Sequence, residues 1–123
     1  LRTMPEWIAI ARVDECPPGT SIERVASDRM VALANVDGRL HAIDGLCPHQ
    51  GGPLGTGRLC GTVLTCPWHG WQYRLEDGVS PPPYSERVAT HDVQLSEAGR
   101  VLVRVKKNPL GKAGAFVELR TAS

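Results

Sequence analysis

The sequence lacks any long run of apolar residues. No stretch approaches the ~20 consecutive apolar residues that a membrane-spanning helix needs, and the start of the chain shows no charged segment followed by an apolar one. We therefore expect neither a membrane span nor a secretory signal. An excess of charge of one sign is also missing, because 14 basic residues against 13 acidic ones leave a formal net charge of +1. With no basic stripe, nucleic-acid binding through phosphate contacts is not expected.

Cysteine is scarce, with four residues in a chain of 123. A small secreted scaffold held by disulfides would carry more, so we expect reduced thiols, a cytoplasmic location and a core that forms without disulfides. Helical patterning is absent as well, since no window of a dozen residues combines a 3.6-residue apolar period with capping residues. The length allows one domain.

Short apolar or alternating runs separated by turn residues are present instead. The runs are Trp7–Arg12, Thr20–Val25, Met30–Val36, Leu40–Ile43, Val88–Leu95 and Val101–Val105. Asp37-Gly38 between two of them is a hairpin signature. The pattern predicts an all-β fold, an antiparallel β-sandwich or small barrel. We expect one domain over residues 4–107 and a C-terminal tail over 108–123, in which Ala115–Leu119 is compatible with another short strand.

The stretch from Cys47 to Tyr73 has a different composition from the predicted strands. It carries one charge, Arg58, and is rich in glycine and proline. Two short strands are predicted inside it, Val63–Thr65 and Gln72–Leu75. A loop so poor in charge is not typical of a solvated linker, and glycine lets a backbone approach a bound object closely. We interpret residues 44–83 as a subdomain, inserted in the β framework, that surrounds a bound group.

Two short ligand pairs lie inside this insert. They read Cys47-Pro48-His49 and Cys66-Pro67-Trp68-His69, with sixteen residues between the first histidine and the second cysteine. Thiolate and imidazole suit both zinc and iron–sulfur centres, so the residue types alone leave the two open.

The two pairs, with their surrounding glycines and prolines, resemble the Rieske iron–sulfur family, whose members bind a [2Fe-2S] cluster. The resemblance implies that Cys47 and Cys66 bind one iron of one cluster per chain and that His49 and His69 bind the other. It also implies that the segment Pro81-Pro82-Pro83 covers the cluster as a third loop.

In the family, histidine in place of cysteine on one iron makes the cluster less negative and raises its reduction potential to roughly −150 to +300 mV. This chain departs from the high-potential members at two features. High-potential members add a disulfide between the ligand loops, where this chain has Gly52 and Trp68, and a serine after the second ligand pair, where it has Trp71. We therefore expect a potential in the lower part of that range and no role in quinol oxidation.

The remaining cysteines and histidines have simpler interpretations. Cys16 and Cys60 have no partner at cluster spacing, and His41 and His91 fall on predicted strands, so we expect structural or surface roles for them. A structural Cys2His2 zinc module remains an alternative, although Cys-x-His is not the usual zinc spacing.

The resemblance implies one of three roles: a freestanding ferredoxin, the small subunit of an assimilatory nitrite reductase, or the first domain of an oxygenase. An oxygenase needs a mononuclear iron held by two histidines and a carboxylate. Beyond His49 and His69 only His41 and His91 remain, both on the predicted framework, so we expect that this chain does not activate oxygen itself. We expect a soluble electron carrier, not an enzyme, between a flavin-dependent reductase and a terminal oxygenase. An apolar tip around His49 and His69, with Leu54 and Trp68 on its surface, is expected to dock both partners.

Overall fold

The computed structural model describes residues 7–48, 51–68, 70–105 and 114–119 of the chain. Within these residues the regular elements are strands and two 3₁₀ turns, Val13–Glu15 and Leu54–Thr56, so the expected all-β fold is confirmed. Among the described residues, none forms an apolar helix of the length that a bilayer span requires. The strands are β1 (Trp7–Arg12), β2 (Ser21–Ala26), β3 (Arg29–Val36), β4 (Arg39–Asp44), β5 (Arg58–Cys60), β6 (Val63–Thr65), β7 (Gln72–Arg74), β8 (Thr90–Leu95), β9 (Arg100–Arg104) and β10 (Val117–Glu118).

Seven of these strands form the larger sheet, which is antiparallel. Its order is β1-β9-β8-β4-β3-β2, with β10 paired to β4. The two end strands β1 and β2 contact each other, so the sheet curls into a nearly closed barrel. The other three strands form a separate sheet of order β5-β6-β7. That smaller sheet lies between β4 and β8 in the chain, inside the predicted insert.

The hairpin between β3 and β4 follows directly from its turn residues. Asp37 and Gly38 both have positive φ, 53° and 92°. Positive φ at both central positions is the geometry of a type I′ turn, whose twist matches that of antiparallel strands. The turn fixes a register in which Val36 faces Arg39 and Val31 faces Asp44. Asp44 thereby marks the end of β4, where the insert begins.

Strand β3 is buried on both faces, which divides the interior into two cores. Because successive side chains of a strand point to opposite faces, Val31 and Leu33 enter the barrel interior while Ala32 and Ala34 face the insert. The small alanine side chains let the insert pack close to the sheet. The second core also contains Leu54, Leu64, Cys47, Cys66 and Tyr73.

The insert is held against β2 by a close backbone approach. The hydroxyl of Ser21 donates a hydrogen bond to the carbonyl oxygen of Gly55 over 2.9 Å. A Cβ atom on Gly55 would lie 2.7 Å from the carbonyl oxygen of Ile22, so no larger residue fits there. The insert therefore has a fixed position on the barrel.

Several element boundaries differ from the sequence-based expectation. Strand β5 was not predicted, because Arg58–Cys60 has three residues and no alternation. Strand β8 begins at Thr90, two residues later than expected. In the predicted tail, Val117 pairs with Leu40 of β4, and the Ala115 carbonyl accepts a hydrogen bond from the Val93 N–H over 2.8 Å. The predicted domain boundaries at residues 4, 107 and 108 lie outside the described residues and stay a prediction.

Candidate metal centre

The first ligand loop begins at Cys47, three residues after β4. The N–H of Cys47 donates to the Gly52 carbonyl and the N–H of Gly51 donates to the Cys47 carbonyl, both over 2.8 Å. A β-bridge between Leu46 and Pro53 closes the loop on its barrel side. The backbone of the loop therefore holds the Cys47 side chain in one place.

The second ligand loop connects β6 to β7. It is closed by a hydrogen bond of 2.6 Å from the N–H of Cys66 to the carbonyl oxygen of Trp71. Strand β6 pairs with both β5 and β7, so Cys66 directly follows the middle strand of the smaller sheet. The two cysteines thus come from two separate strand ends.

The structure brings the two thiols together in the second core. Cys47 and Cys66 are each 2% exposed. Burial raises the pKa of the Cys66 thiol, the Trp68 N–H opposes that change, and the adjacent Cys47 raises the pKa further. The first loop also reaches the second sulfur, because a Cβ atom on Gly52 would lie 2.5 Å from Sγ of Cys66. Only glycine leaves room for the two loops to meet.

Hydrogen-bond donors point at both sulfur atoms. The N–H of Trp68 donates to Sγ of Cys66 over 3.3 Å, and the hydroxyl of Tyr73 lies 3.3 Å from Sγ of Cys47. Tyr73 is fully buried. Burial is the main cause that raises the pKa of its hydroxyl, and the neighbouring Cys47 raises that pKa further. The hydroxyl therefore keeps its proton and serves as the donor when Cys47 is a thiolate.

This arrangement fits the sulfur half of a metal cluster. Two buried thiolates side by side repel each other, and a bound cation removes that cost. Backbone and hydroxyl donors aimed at sulfur are the contacts that tune such a centre. His49 and His69 lie outside the described residues, and no group of three metal-ligating side chains occurs within the described ranges. The assignment of four ligands therefore stays a prediction.

The other cysteines and histidines do not join the two thiols. Cys16 is fully buried in the barrel core, where burial raises the pKa of its thiol. Cys60 is exposed on β5. His41 stacks on Phe116 with ring centroids 4.9 Å apart. His91 contacts Asp44 instead.

Three large apolar side chains are exposed around the ligand loops. They are Leu46 at 49%, Trp68 at 47% and Tyr84 at 59% exposure. The expectation that Leu54 belongs to this surface is wrong, because Leu54 is fully buried. The 3₁₀ turn that it begins packs against β2 and β3, which directs its side chain into the second core.

The third loop contacts the second ligand loop through an aromatic pair. The rings of Trp71 and Tyr84 meet edge to face, with centroids 5.2 Å apart. Sequence reasoning missed Tyr84, although an aromatic residue directly after Pro81-Pro82-Pro83 was a usable signal. The hydroxyl of Ser80 donates to the Gln72 carbonyl over 2.7 Å, which fixes the loop to β7. Whether the prolines cover a cluster stays a prediction.

Known proteins resemble this chain in sequence and in fold. The family model described as "Rieske [2Fe-2S] domain" matches residues 6–92. The ferredoxin component of the alkene monooxygenase system of Xanthobacter autotrophicus is 34% identical over 110 residues, which are 89% of this chain and 88% of that protein.

Two further similarities differ in how much they cover. Cholesterol 7-desaturase nvd of Xenopus laevis is 36% identical over 75 residues, which are 58% of this chain but 16% of that protein. The structure of the ferredoxin of carbazole 1,9a-dioxygenase from Nocardioides aromaticivorans superposes with a TM-score of 0.74 at 22% identity. That superposition covers 81% of this chain and 98% of the other, and it supports the fold alone.

Proposed function

The chain belongs to the Rieske [2Fe-2S] domain family, and on that basis we propose that it is a one-electron carrier, the ferredoxin component of a multicomponent oxygenase system. The alkene monooxygenase ferredoxin supports this role, because the similarity extends over most of both chains. The longer proteins that this chain resembles, such as cholesterol 7-desaturase nvd, match over a small part of their own length, so the proposal does not include their reactions.

The observation that carries the proposal is the pair of buried sulfurs, Cys47 and Cys66, with a donor aimed at each. In this proposal these two cysteines bind one iron of a [2Fe-2S] cluster, and His49 and His69 bind the other. When bound, such a cluster takes up and releases one electron at a time. The chain itself keeps water from the sulfurs and holds them in place through the loop hydrogen bonds.

Electron transfer partners would contact the chain at Leu46, Trp68 and Tyr84. These exposed apolar side chains stand on the two ligand loops and the third loop, and residues 45–57 and 66–72 contain no charged residue. A small uncharged surface suits brief contacts with a flavin-dependent reductase as donor and a terminal oxygenase as acceptor. We place this exchange in the cytoplasm, where thiols stay reduced.

A reconstituted electron-transfer assay tests the proposal. The chain is loaded anaerobically with iron and sulfide, mixed with NADH, a flavin-dependent ferredoxin reductase and a terminal oxygenase of the alkene monooxygenase type, and product formation is followed. We expect turnover that depends on the chain and saturates with it. A cluster-loaded chain that the reductase reduces but that supports only a nitrite reductase catalytic subunit would assign it to that system instead.

A further inference from the structure

A buried histidine outside the metal centre contacts the residue at which the insert begins. Nε2 of His91, on β8, lies 2.9 Å from Oδ1 of Asp44, the last residue of β4. The His91 side chain is fully buried and the Asp44 side chain is 20% exposed. Burying polar groups costs free energy unless they are paired, and here the two side chains are paired with each other.

The Asp44 carboxylate accepts hydrogen bonds from two separate segments, residues 89–91 at the start of β8 and Arg29 at the start of β3. Besides His91, the Asp44 carboxylate accepts the N–H of Ala89 over 3.1 Å and Nε of Arg29 over 3.3 Å. Burial alone would raise the pKa of this carboxyl, but the hydrogen bonds from His91, Ala89 and Arg29 outweigh it and lower the pKa. The carboxylate is therefore ionised in the folded protein and accepts three hydrogen bonds.

These contacts lie where the chain leaves the barrel before the insert, at Asp44, and where it rejoins the barrel after it, at Ala89 and His91. The backbone N–H of Asp44 also donates to the Ala89 carbonyl over 2.9 Å, so the chain leaves the barrel and returns to it at one point. Strands β4 and β8 pair at only two positions, Ala42 with His91 and Ile43 with Thr90. The side-chain contacts extend this short ladder. We call Asp44, Ala89 and His91 the neck clasp.

The first ligand loop and the third loop both continue from the neck clasp. On one side Gly45 follows Asp44, and its N–H donates to the Met30 carbonyl over 2.9 Å before the chain reaches Cys47. On the other side Val88 precedes Ala89, and its N–H donates to the Gly78 carbonyl over 2.8 Å at the base of the third loop. A displacement of the β4 end would therefore move the first ligand loop, and a displacement of the β8 end would move the third loop, which contacts the second ligand loop.

We propose that Asp44 and His91 are positioning residues for the metal centre: they hold the neck of the insert closed and so keep Cys47 and the third loop in register with the second ligand loop. The inference rests on the proposed function, because it assigns the clasp to a cluster-binding insert. It needs no contact between the clasp and the cluster. The barrel core, with Val31 and Leu33, lies on the other face of β3.

The test compares His91→Leu with His91→Gln and with a control in the barrel core. Leucine fills the space but cannot reach Asp44 with a polar atom, whereas glutamine keeps a side-chain donor. The control is Val101→Ala, since Val101 is fully buried in the barrel core on β9. Full-length proteins are loaded with cluster and compared by cluster release to a chelator, the EPR spectrum after reduction, amide exchange and urea unfolding.

We expect His91→Leu to release the cluster about tenfold faster or more, the loss that follows from removing one buried hydrogen bond to a charged group. Amide exchange should rise at residues 44–54 and 78–89 and not at residues 31–34, and the EPR spectrum should change. In His91→Gln, cluster release, amide exchange and the EPR spectrum should be close to those of the wild-type protein. Val101→Ala should lower the urea midpoint while leaving cluster release and EPR unchanged.

Release from His91→Leu that is no faster than from Val101→Ala, or exchange that rises uniformly over the barrel, would overturn the inference. If His91→Leu does not fold, Asp44→Asn, which keeps the side-chain size, carries the same comparison against the same control. A wild-type chain that takes up no cluster would contradict the proposed function instead. The exchange measurement on the metal-free chain would then still test whether the clasp closes the neck.

Discussion

Tyr73 and Cys47 are joined by a hydrogen bond of 3.3 Å between the tyrosine hydroxyl and the cysteine sulfur. Tyr73 lies on β7 and Cys47 follows β4, so the bond links the smaller sheet to the first ligand loop across 26 residues. Both side chains are buried. The hydroxyl therefore donates to sulfur in a region that water does not reach.

We predict that Tyr73→Phe lowers the reduction potential of the cluster-loaded protein. A donor to a ligand sulfur stabilises the more negative, reduced state, so its removal favours the oxidised state. A shift of about 40 mV is expected, since a hydrogen bond contributes about 1 kcal/mol and about 59 mV corresponds to a tenfold change in a one-electron equilibrium. Protein-film voltammetry measures the shift. Tyr84→Phe, the same change at an exposed ring, should leave the potential unaltered.

We predict that Gly52→Ala abolishes cluster uptake. The new Cβ would lie 2.5 Å from Sγ of Cys66 and 3.3 Å from Cβ of Trp68, so the two ligand loops would have to separate. Iron bound per chain after reconstitution is the measurement. Gly51→Ala is the control: its positive φ of 74° makes the change cost about 1–2 kcal/mol, but no atom lies within 4 Å of the new Cβ. Equal iron contents in the two variants would contradict the prediction.

We predict that Trp68→Glu slows electron transfer from the reductase about tenfold while the visible spectrum stays unchanged. A charge on the uncharged surface around the ligand loops disfavours docking of an apolar partner. Phe116→Glu is the matched control, because Phe116 is also 47% exposed but lies beside the other end of β4. Stopped-flow reduction rates that fall equally in both variants would argue against a docking surface at Trp68. Leu54→Asp cannot serve this test, because a charge at that buried position would unfold the insert.

We predict that His41 makes the protein less stable as the pH falls from 7 to 5. Burial lowers the pKa of His41 in the folded state. The unfolded chain therefore takes up a proton near the ordinary pKa of about 6.5, where folded His41 does not, and the free energy of unfolding decreases below that pH. Urea unfolding of His41→Phe, which keeps a ring against Phe116, should show a smaller decrease over the same range. Identical pH profiles would contradict this assignment.

The strands of the framework could be predicted because their signals are local. Asp37-Gly38 specifies its own hairpin turn, and the apolar runs on either side of it predict β3 and β4. Strand β5 could not be found in this way, since it is short and is stabilised by pairing with β6. The burial of Leu54 was mispredicted for a related reason. Low charge around Leu54 is equally typical of an exposed apolar tip and of a turn packed against β2 and β3.

The candidate site was predictable in its residue types but not in its contacts. Two Cys-and-His pairs in glycine-rich loops indicate a metal centre, and Cys47 and Cys66 do come together. The hydroxyl of Tyr73 and the neck clasp, in contrast, depend on residues that are 26 and 47 positions apart in the chain. Such pairs follow from the sheet topology, and no local spacing in the sequence announces them.

The most direct test of the account is the content of iron, acid-labile sulfide and zinc in anaerobically reconstituted wild-type protein and in His49→Ala and His69→Ala. We predict about two irons and two sulfides per wild-type chain, no stoichiometric zinc, and loss of the visible chromophore in both variants. A wild-type chain that remains colourless and holds zinc after reconstitution would contradict the account. A chromophore of full intensity in both variants would contradict the assignment of the two histidines.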